Sequence, residues 1–169
     1  FQQIDPNYNT ALQYQADIHL IATHIHTGEQ LARFATSRGS FRALSPQVKT
    51  LNKNNYRKIF PCDNYFASIK LDGVHHKIAI LRDTIYIVNS NTSTRARPSD
   101  LTGGASTNPP DLIVDAEFDP ITKKYYIFDI PYFASTPDIA ERGYAERQQH
   151  LTAALTILSI YLAYTFMML

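Results

Sequence analysis

A lysine directly before a tight turn is the residue of this sequence best suited to act as a nucleophile. Lys70 ends the run Tyr65–Lys70, and Asp72 and Gly73 follow it. A lysine amine attacks only in its neutral form, which desolvation or nearby cations populate by lowering its pKa. Gly73 permits a tight turn or a close backbone approach to a ligand. The alternative is an exposed lysine before an ordinary hairpin turn, because Asp-Gly is a common turn pair.

Carboxylates and an aromatic ring follow on two later apolar segments. Asp115 and Glu117 end an apolar run that begins at Leu112, where a carboxylate can bind a ribose hydroxyl or a divalent metal. Phe128 and Asp129 lie in a second apolar run, where a ring can stack on a base and a carboxylate can hold a metal. Each pattern alone is also typical of an ordinary core strand.

Taken in this order, the three segments resemble the covalent nucleotidyltransferase superfamily, which contains the mRNA capping guanylyltransferases and the ATP-dependent DNA and RNA ligases. Lys70–Gly73 matches the nucleophile motif KxDG, Val114–Phe118 is similar to motif III, and Tyr126–Phe133 is similar to motif IIIa. The single hairpin between motifs III and IIIa is similar to capping enzymes and shorter than in DNA ligases. The match covers roughly residues 42–152.

Departures from the family pattern narrow the resemblance. His75 stands where many members have an arginine, a position at which capping enzymes of large DNA viruses also vary. Leu71 replaces a frequent threonine, and Ala116 replaces the glycine of motif III. The chain is therefore most similar to the guanylyltransferase domain of poxvirus-like or asfarvirus-like capping enzymes.

The resemblance implies a mechanism. Lys70 would attack the α-phosphate of GTP, release pyrophosphate, and hold GMP until its transfer to 5′-diphosphate RNA, with Mg²⁺ or Mn²⁺ as cofactor. Glu117 would bind the ribose or the metal, and Phe128 would stack on the base. The implied nucleotide-binding residues are Lys70, Asp72, Gly73, Glu117 and Phe128, and the implied metal contacts are Glu117 and Asp129. An ATP-dependent ligase and a non-catalytic nucleic-acid-binding module remain the alternatives.

Composition excludes several other classes. With 169 residues, 44% hydrophobic and 18% charged, the chain can bury a core and is not a disordered tail. A net charge of +1 excludes a strongly basic nucleic-acid coat. The single Cys62 excludes a disulfide framework and a cysteine zinc cluster. No Walker-type phosphate loop is present in the sequence.

The expected fold is α+β, with antiparallel sheets and flanking helices that form a nucleotide cleft, as in a nucleotidyltransferase or ATP-grasp-like domain. The predicted elements are a helix over 11–34 with a possible break at Gly28, a loop over 37–46, strands at 65–70, 77–81, 84–88, 112–118 and 124–130, a long loop over 89–110, and a helix over 137–169. Arg82-Asp83 and Asp119-Pro120 are the predicted turns of two hairpins.

Two regions are predicted along the chain. Residues 1–41 form an N-terminal helical or connecting segment, and residues 42–169 form part of a nucleotidyltransferase domain with motifs I, III and IIIa. The later motifs and the OB-fold of the family are missing, and the apolar ending predicts a piece of a longer protein. The expected partners are GTP, the 5′ end of RNA and viral capping or transcription subunits, in the cytoplasm, a viral factory or a virion.

Two further segments leave alternatives open. Residues 151–169 carry no charge and reach the length of a membrane span, but the stripe of Leu151, Leu155, Leu158 and Leu162 favours a packed helix. Arg95 and Arg97 in the long loop either contact phosphate or RNA, or are solvated.

Overall fold

The structure is a computed structural model that describes residues 6–36, 39–46, 50–59, 65–97, 108–161 and 165–168. Within these ranges the fold is α+β, as predicted. Its helices are α1 (Pro6–Ile25), α2 (Gly28–Thr36), α3 (Tyr56–Ile59) and α4 (Tyr144–Tyr161), with 3₁₀ turns at Phe41–Leu44 and Ile139–Glu141. Its strands are β1 (Val74–Leu81), β2 (Thr84–Val88), β3 (Ser93–Ala96), β4 (Leu112–Asp119), β5 (Lys124–Phe133) and β6 (Thr165–Met168).

The strands form one sheet in the order β3-β2-β1-β4-β5-β6. The first five are antiparallel to their neighbours, whereas β6 pairs with β5 in parallel. The β1–β2 hairpin turns at Arg82 and Asp83, with φ of 48° and 62°. Two consecutive positive φ values are the geometry of the tight turn that suits the twist of a hairpin, so the predicted hairpin is confirmed.

Side chains alternate between the two faces of the sheet along each strand. Each face therefore carries apolar residues, and helices cover both faces. On one face, Ile78 and Ile80 of β1 pack with Leu151, Ala154 and Leu158 of α4. The predicted packing stripe of α4 is thereby confirmed at its first and third leucines, while Leu162 lies outside the described residues.

On the opposite face, Ala79 and Leu81 pack with Ile18 and Ile21 of α1 and with Phe41. The sheet is therefore the middle layer of three. Lys77 and Asp115 share this second face and are buried there.

The strand pairing between β4 and β5 is irregular at the middle of both strands. Its register shifts between Ile113 and Asp115 and again between Asp115 and Ala116, so β5 carries extra residues there. Such bulges re-aim side chains. Phe128 falls at this irregularity and has no register partner of its own.

Two predictions for the first half of the sheet were wrong. Residues 65–70 form no strand: β1 begins only at Val74 and already has β2 and β4 as neighbours, so no edge of β1 is open. The expected loop over 89–110 contains β3, which completes the sheet beside β2. Residues 98–107 of that loop lie outside the described residues.

The predicted helices also needed correction. The helix over 11–34 is two helices, α1 and α2, separated at His26 and Thr27, and Gly28 starts α2 with a φ of 50°. The Phe41–Leu44 turn lies within the expected loop over 37–46. The helix over 137–169 consists of a 3₁₀ turn, α4 and β6. In the described ranges, no helix has the length and apolar character needed to cross a membrane.

Candidate active site

The segment that carries Lys70 runs without regular secondary structure from Tyr65 to Asp72 and is held at two points. Near its start, the ring of Phe66 lies 5.5 Å from the ring of Tyr144, which begins α4. At its end, the backbone N–H of Gly73 donates to Oε1 of Glu117 at 3.2 Å. The lysine is therefore placed by contacts at either end of its segment rather than by a strand.

A cleft of about 220 Å³ lies beneath this segment. Lys70 lines it together with Glu117 of β4 and Phe128 of β5, and Ser68, Ile69 and Leu71 complete the lining. Three residues that the sequence motifs singled out, on three separate segments, thus line the same cleft. The pairing of β1 with β4 and the hairpin of β4 and β5 bring them together.

Lys70 and Asp72 lie on the solvent side of the cleft. The Lys70 side chain is 87% exposed, and its Nζ donates to Oδ1 of Asp72 at 3.2 Å. The expectation of a lysine at the end of a buried strand was wrong, because residues 65–70 lie outside the sheet with their side chains exposed. An amine in this position can reach a ligand that enters the cleft from solvent.

Gly73 makes a close backbone approach to β4. A Cβ at this position would lie 2.3 Å from the carbonyl oxygen of Phe118 and 3.0 Å from Cγ of Glu117. These distances leave no room for any larger residue. The glycine therefore allows the backbone to pass in close contact with β4 just before β1 begins.

A buried ion pair lies two residues along β1 and β4 from the His75–Glu117 pair at the cleft. Lys77 of β1 donates to Oδ1 of Asp115 at 2.5 Å, and Nε2 of His75 lies 2.9 Å from the same oxygen. Burial pushes the pKa of Asp115 upward, but the charge of Lys77 and the hydrogen bonds from His75 and Lys77 outweigh it and hold the pKa below its usual value. The Asp115 carboxylate is therefore bound by Lys77 and His75 and is not open to the cleft.

The His75 ring packs between Phe128, which lines the cleft, and Phe41 of the 3₁₀ turn. Its centroid lies 5.6 Å from that of Phe128 and 5.3 Å from that of Phe41. Together with the hydrogen bond to Asp115, these contacts fix the imidazole in one orientation. The residue at the position where many superfamily members carry an arginine thus packs against the aromatic wall of the cleft.

The first turn and a half of α4 hold the irregular part of β5. Arg147 donates to both carboxylate oxygens of Asp129, at 2.8 and 3.2 Å. Gln148 donates to the backbone carbonyl of Phe128 at 2.7 Å. These contacts satisfy the backbone and the charge that the irregular pairing exposes, and they fix the Phe128 ring at the cleft.

The carboxylates implied as metal contacts differ in their surroundings. Glu117 lines the cleft and accepts the hydrogen bond from Gly73, so it fits a divalent cation brought there by a ligand. Asp129 has both oxygens on Arg147, so a metal there would share an occupied carboxylate. Among the described residues, no three His, Cys, Asp or Glu side chains are grouped to hold a metal ion by themselves.

Several residues that shape the site were not found from the sequence. Lys77 is a charged residue inside an otherwise apolar strand, which was the available signal for a buried ion pair. Gln148 gave no such signal, since its partner is a carbonyl at a bulge. Arg95 is not free in solvent, because its Nε donates to the buried Asp17 of α1 at 2.9 Å. Arg97 is exposed and forms no ion pair with a carboxylate in the described part of the chain.

The sequence is similar to viral mRNA-capping enzymes over nearly its whole length. The mRNA-capping enzymes of African swine fever virus, in the Badajoz strain and in a warthog isolate from Namibia, are 31% identical to it over 160 residues, 94% of this chain. A Kenyan pig isolate is 30% identical over the same length. These relatives confirm the predicted resemblance to capping enzymes of large DNA viruses.

The chain spans only 18% of the length of these relatives. No family model matches it, and no solved structure gives a significant match.

Proposed function

We propose that this chain carries the nucleotide-transferring lysine of a viral mRNA-capping guanylyltransferase. The relatives named mRNA-capping enzyme support a role in capping. The observation that carries the finer proposal is the cleft itself, which Lys70, Glu117 and Phe128 line together. A nucleophile, an oxygen ligand and a stacking ring are the parts that a covalent nucleotide transfer needs in one place.

In the proposed first step, the neutral Nζ of Lys70 attacks the α-phosphorus of GTP. The N–P bond forms as the bond to the bridging oxygen of pyrophosphate breaks, and pyrophosphate leaves. The amine loses a proton in this step, and Asp72, whose Oδ1 accepts a hydrogen bond from Nζ at 3.2 Å, would relay it to solvent. The product is a lysyl–GMP phosphoramidate.

In the second step, a terminal oxygen of a 5′-diphosphate RNA attacks the same phosphorus. The N–P bond breaks, the lysine recovers its proton, and GMP is joined to the RNA. Viral capping or transcription subunits are the further partners that this proposal expects, in an infected cell or a virion.

Phe128 and Glu117 would orient the nucleotide. The Phe128 ring offers a flat face to the guanine, and Glu117 offers a carboxylate to the ribose or to the divalent cation that accompanies a triphosphate. When bound, Mg²⁺ or Mn²⁺ would neutralise the charge that develops on the phosphates. The metal contact of Asp129 stays a prediction, since Arg147 already engages both its oxygens.

The test uses the longest natural form of the protein, incubated separately with GTP and ATP that carry label on the α-phosphate. We expect an acid-labile protein adduct from GTP, its loss in Lys70→Arg, and its retention in Lys53→Arg, a control at an exposed lysine outside the cleft. Label from ATP alone would identify a ligase instead. A folded protein that takes label from neither nucleotide would be a binding module, and the proposal would be wrong.

A further inference from the structure

A second and larger groove of about 1100 Å³ lies on the far side of His75 from the cleft. Its walls come from α2, the Phe41–Leu44 turn and the start of β1. The residues that matter for its chemistry are His26, Arg33, Phe41, Arg42, Ser45 and His75. We call it the basic groove.

Two arginines give the basic groove its charge. Among the described residues, Arg33 pairs with Glu29, one turn away, at 3.4 Å, and both side chains are largely exposed. Such exposed pairs are weak and exchange readily for a stronger anion. Arg42 is exposed and has no carboxylate partner in the described part of the chain, and no Asp or Glu is among the described lining residues. The groove is therefore complementary to an anion.

Two polar groups at the groove wall, His26 and Ser45, offer no open contact to a ligand. His26 is already engaged, because its Nε2 lies 3.0 Å from the carbonyl oxygen of Ala43. Ser45 is not: its hydroxyl oxygen is buried and has no hydrogen-bond partner among the described residues. A buried hydroxyl without a partner is uncommon in a folded protein.

The groove and the Lys70 cleft are separated by the packed rings of His75 and Phe128. His75 lines the groove, and the Phe128 ring that lies 5.6 Å from it lines the Lys70 cleft. Val74, which also lines the groove, follows Gly73 directly. The groove and the cleft are therefore neighbours, and a strand that extends from the groove past His75 would enter the cleft.

We propose that the basic groove binds the first nucleotides of the acceptor RNA through their phosphates and so delivers the 5′ end to Lys70. This inference rests on the proposed function. Phosphate contacts by arginine hold a nucleic acid in register without reading its sequence, as an acceptor site for many transcripts requires. The groove is at the upper end of ligand-site volumes of about 300–1,000 Å³, so it has room for more than one nucleotide. An acidic peptide would also match the charge, but its end takes no part in the proposed reaction at the cleft.

The test compares the double variant Arg33→Glu/Arg42→Glu with the control Arg82→Glu. Arg82 is exposed at the opposite end of β1 and does not line the groove. Binding of a short 5′-diphosphate oligoribonucleotide is measured by fluorescence anisotropy at several salt concentrations. We expect at least ten-fold weaker binding in the double variant and a salt slope smaller by about 1.4, for two phosphate contacts on a single strand. The control should bind as the unaltered protein does.

Lysyl–GMP formation from GTP alone separates this inference from the proposed function. The double variant should form the adduct at the normal rate and lose only transfer to RNA. Unchanged RNA binding in the double variant would overturn the inference, as would a polyglutamate peptide that competes as well as RNA does. Absence of the adduct in the unaltered protein would overturn the proposed function instead, whatever the groove binds.

Discussion

The backbone N–H of Gly73 donates to the side chain of Glu117 at 3.2 Å, although 44 residues separate them in sequence. The pairing of β1 with β4 closes this separation, because Val74 lies opposite Phe118 and His75 lies opposite Glu117. The hydrogen bond joins the end of the nucleophile motif to the carboxylate of motif III. The position of Lys70 therefore depends on how closely residue 73 can approach β4.

Gly73→Ala should disturb both stability and chemistry. The new Cβ would meet the Phe118 carbonyl oxygen at 2.3 Å, so the backbone before β1 must move away. We expect a loss of about 1–3 kcal/mol in the free energy of unfolding, as for other overpacked sites. We also expect at least ten-fold slower labelling of Lys70 by GTP. Urea denaturation and the adduct assay measure the two effects.

Gly143→Ala is the matched control for this prediction. A Cβ at Gly143 meets nothing within 4 Å, and its carbonyl accepts the first hydrogen bond of α4. Loss of a glycine cap costs at most about 1 kcal/mol, and labelling should stay normal. If Gly73→Ala labels Lys70 as fast as Gly143→Ala does, the close approach of residue 73 does not position the lysine.

Lys77→Met should destabilise the protein strongly. Lys77 is 1% exposed and its amine neutralises the buried carboxylate of Asp115, which would be left with His75 alone. Breaking a buried pair on one side costs about 3–5 kcal/mol, because an uncompensated charge remains inside. Urea denaturation should show this loss. The double variant Lys77→Met/Asp115→Leu should recover most of it, and a double variant as unstable as Lys77→Met would show that packing rather than charge is responsible.

Acid should weaken the fold through Asp115. Its pKa in the folded protein lies below the ordinary 3.8: burial raises it, and the Lys77 charge with the hydrogen bonds from His75 and Lys77 lowers it further than burial raises it. A lowered carboxyl pKa contributes stability that is present above the unfolded value and is lost as the pH falls through the folded value. The free energy of unfolding should therefore decline as the pH falls below about 3.8.

Asp115→Asn isolates this contribution. The variant should be less stable at neutral pH, and its stability should fall less steeply below pH 3.8. Asp119 and Asp138, surface carboxyls whose pKa values are also lowered by hydrogen bonds, titrate in both proteins and cancel in the comparison. Parallel stability curves for the two proteins would show that Asp115 is not the titrating group.

The hairpins of the sheet could be predicted from the sequence because their signals are local. Arg82-Asp83 and Asp119-Pro120 sit between apolar runs of strand length, and both mark turns in the structure. Glu117 and Phe128 were placed on strands in the same way, whereas their roles at the site rest on the family resemblance and stay predictions.

The remaining features depend on contacts that are distant in sequence. Residues 65–70 have the composition of a strand, but β1 already has a neighbour on each side. β3 has few apolar residues and is fixed at the sheet edge by Asp17 of α1, which binds Arg95. β6 pairs with the open side of β5, where a helix pattern alone predicts continued helix. Local propensity yields to such pairing because the sheet edge offers unpaired backbone groups.

Arg147→Lys should weaken the binding of GTP more than it slows the attack by Lys70. Arg147 binds both oxygens of Asp129, and a lysine amine cannot reproduce this paired geometry. The neighbouring Phe128 ring would lose part of its fixed position at the cleft. We expect the KM for GTP in adduct formation to rise about five- to ten-fold, the size of a weakened contact of about 1 kcal/mol, with little change in kcat. Arg142→Lys, at a half-exposed arginine paired with Asp138 and Glu146, is the control and should leave both constants unchanged. A fall in kcat at constant KM would mean that Arg147 acts on the chemical step and not through the position of the ring.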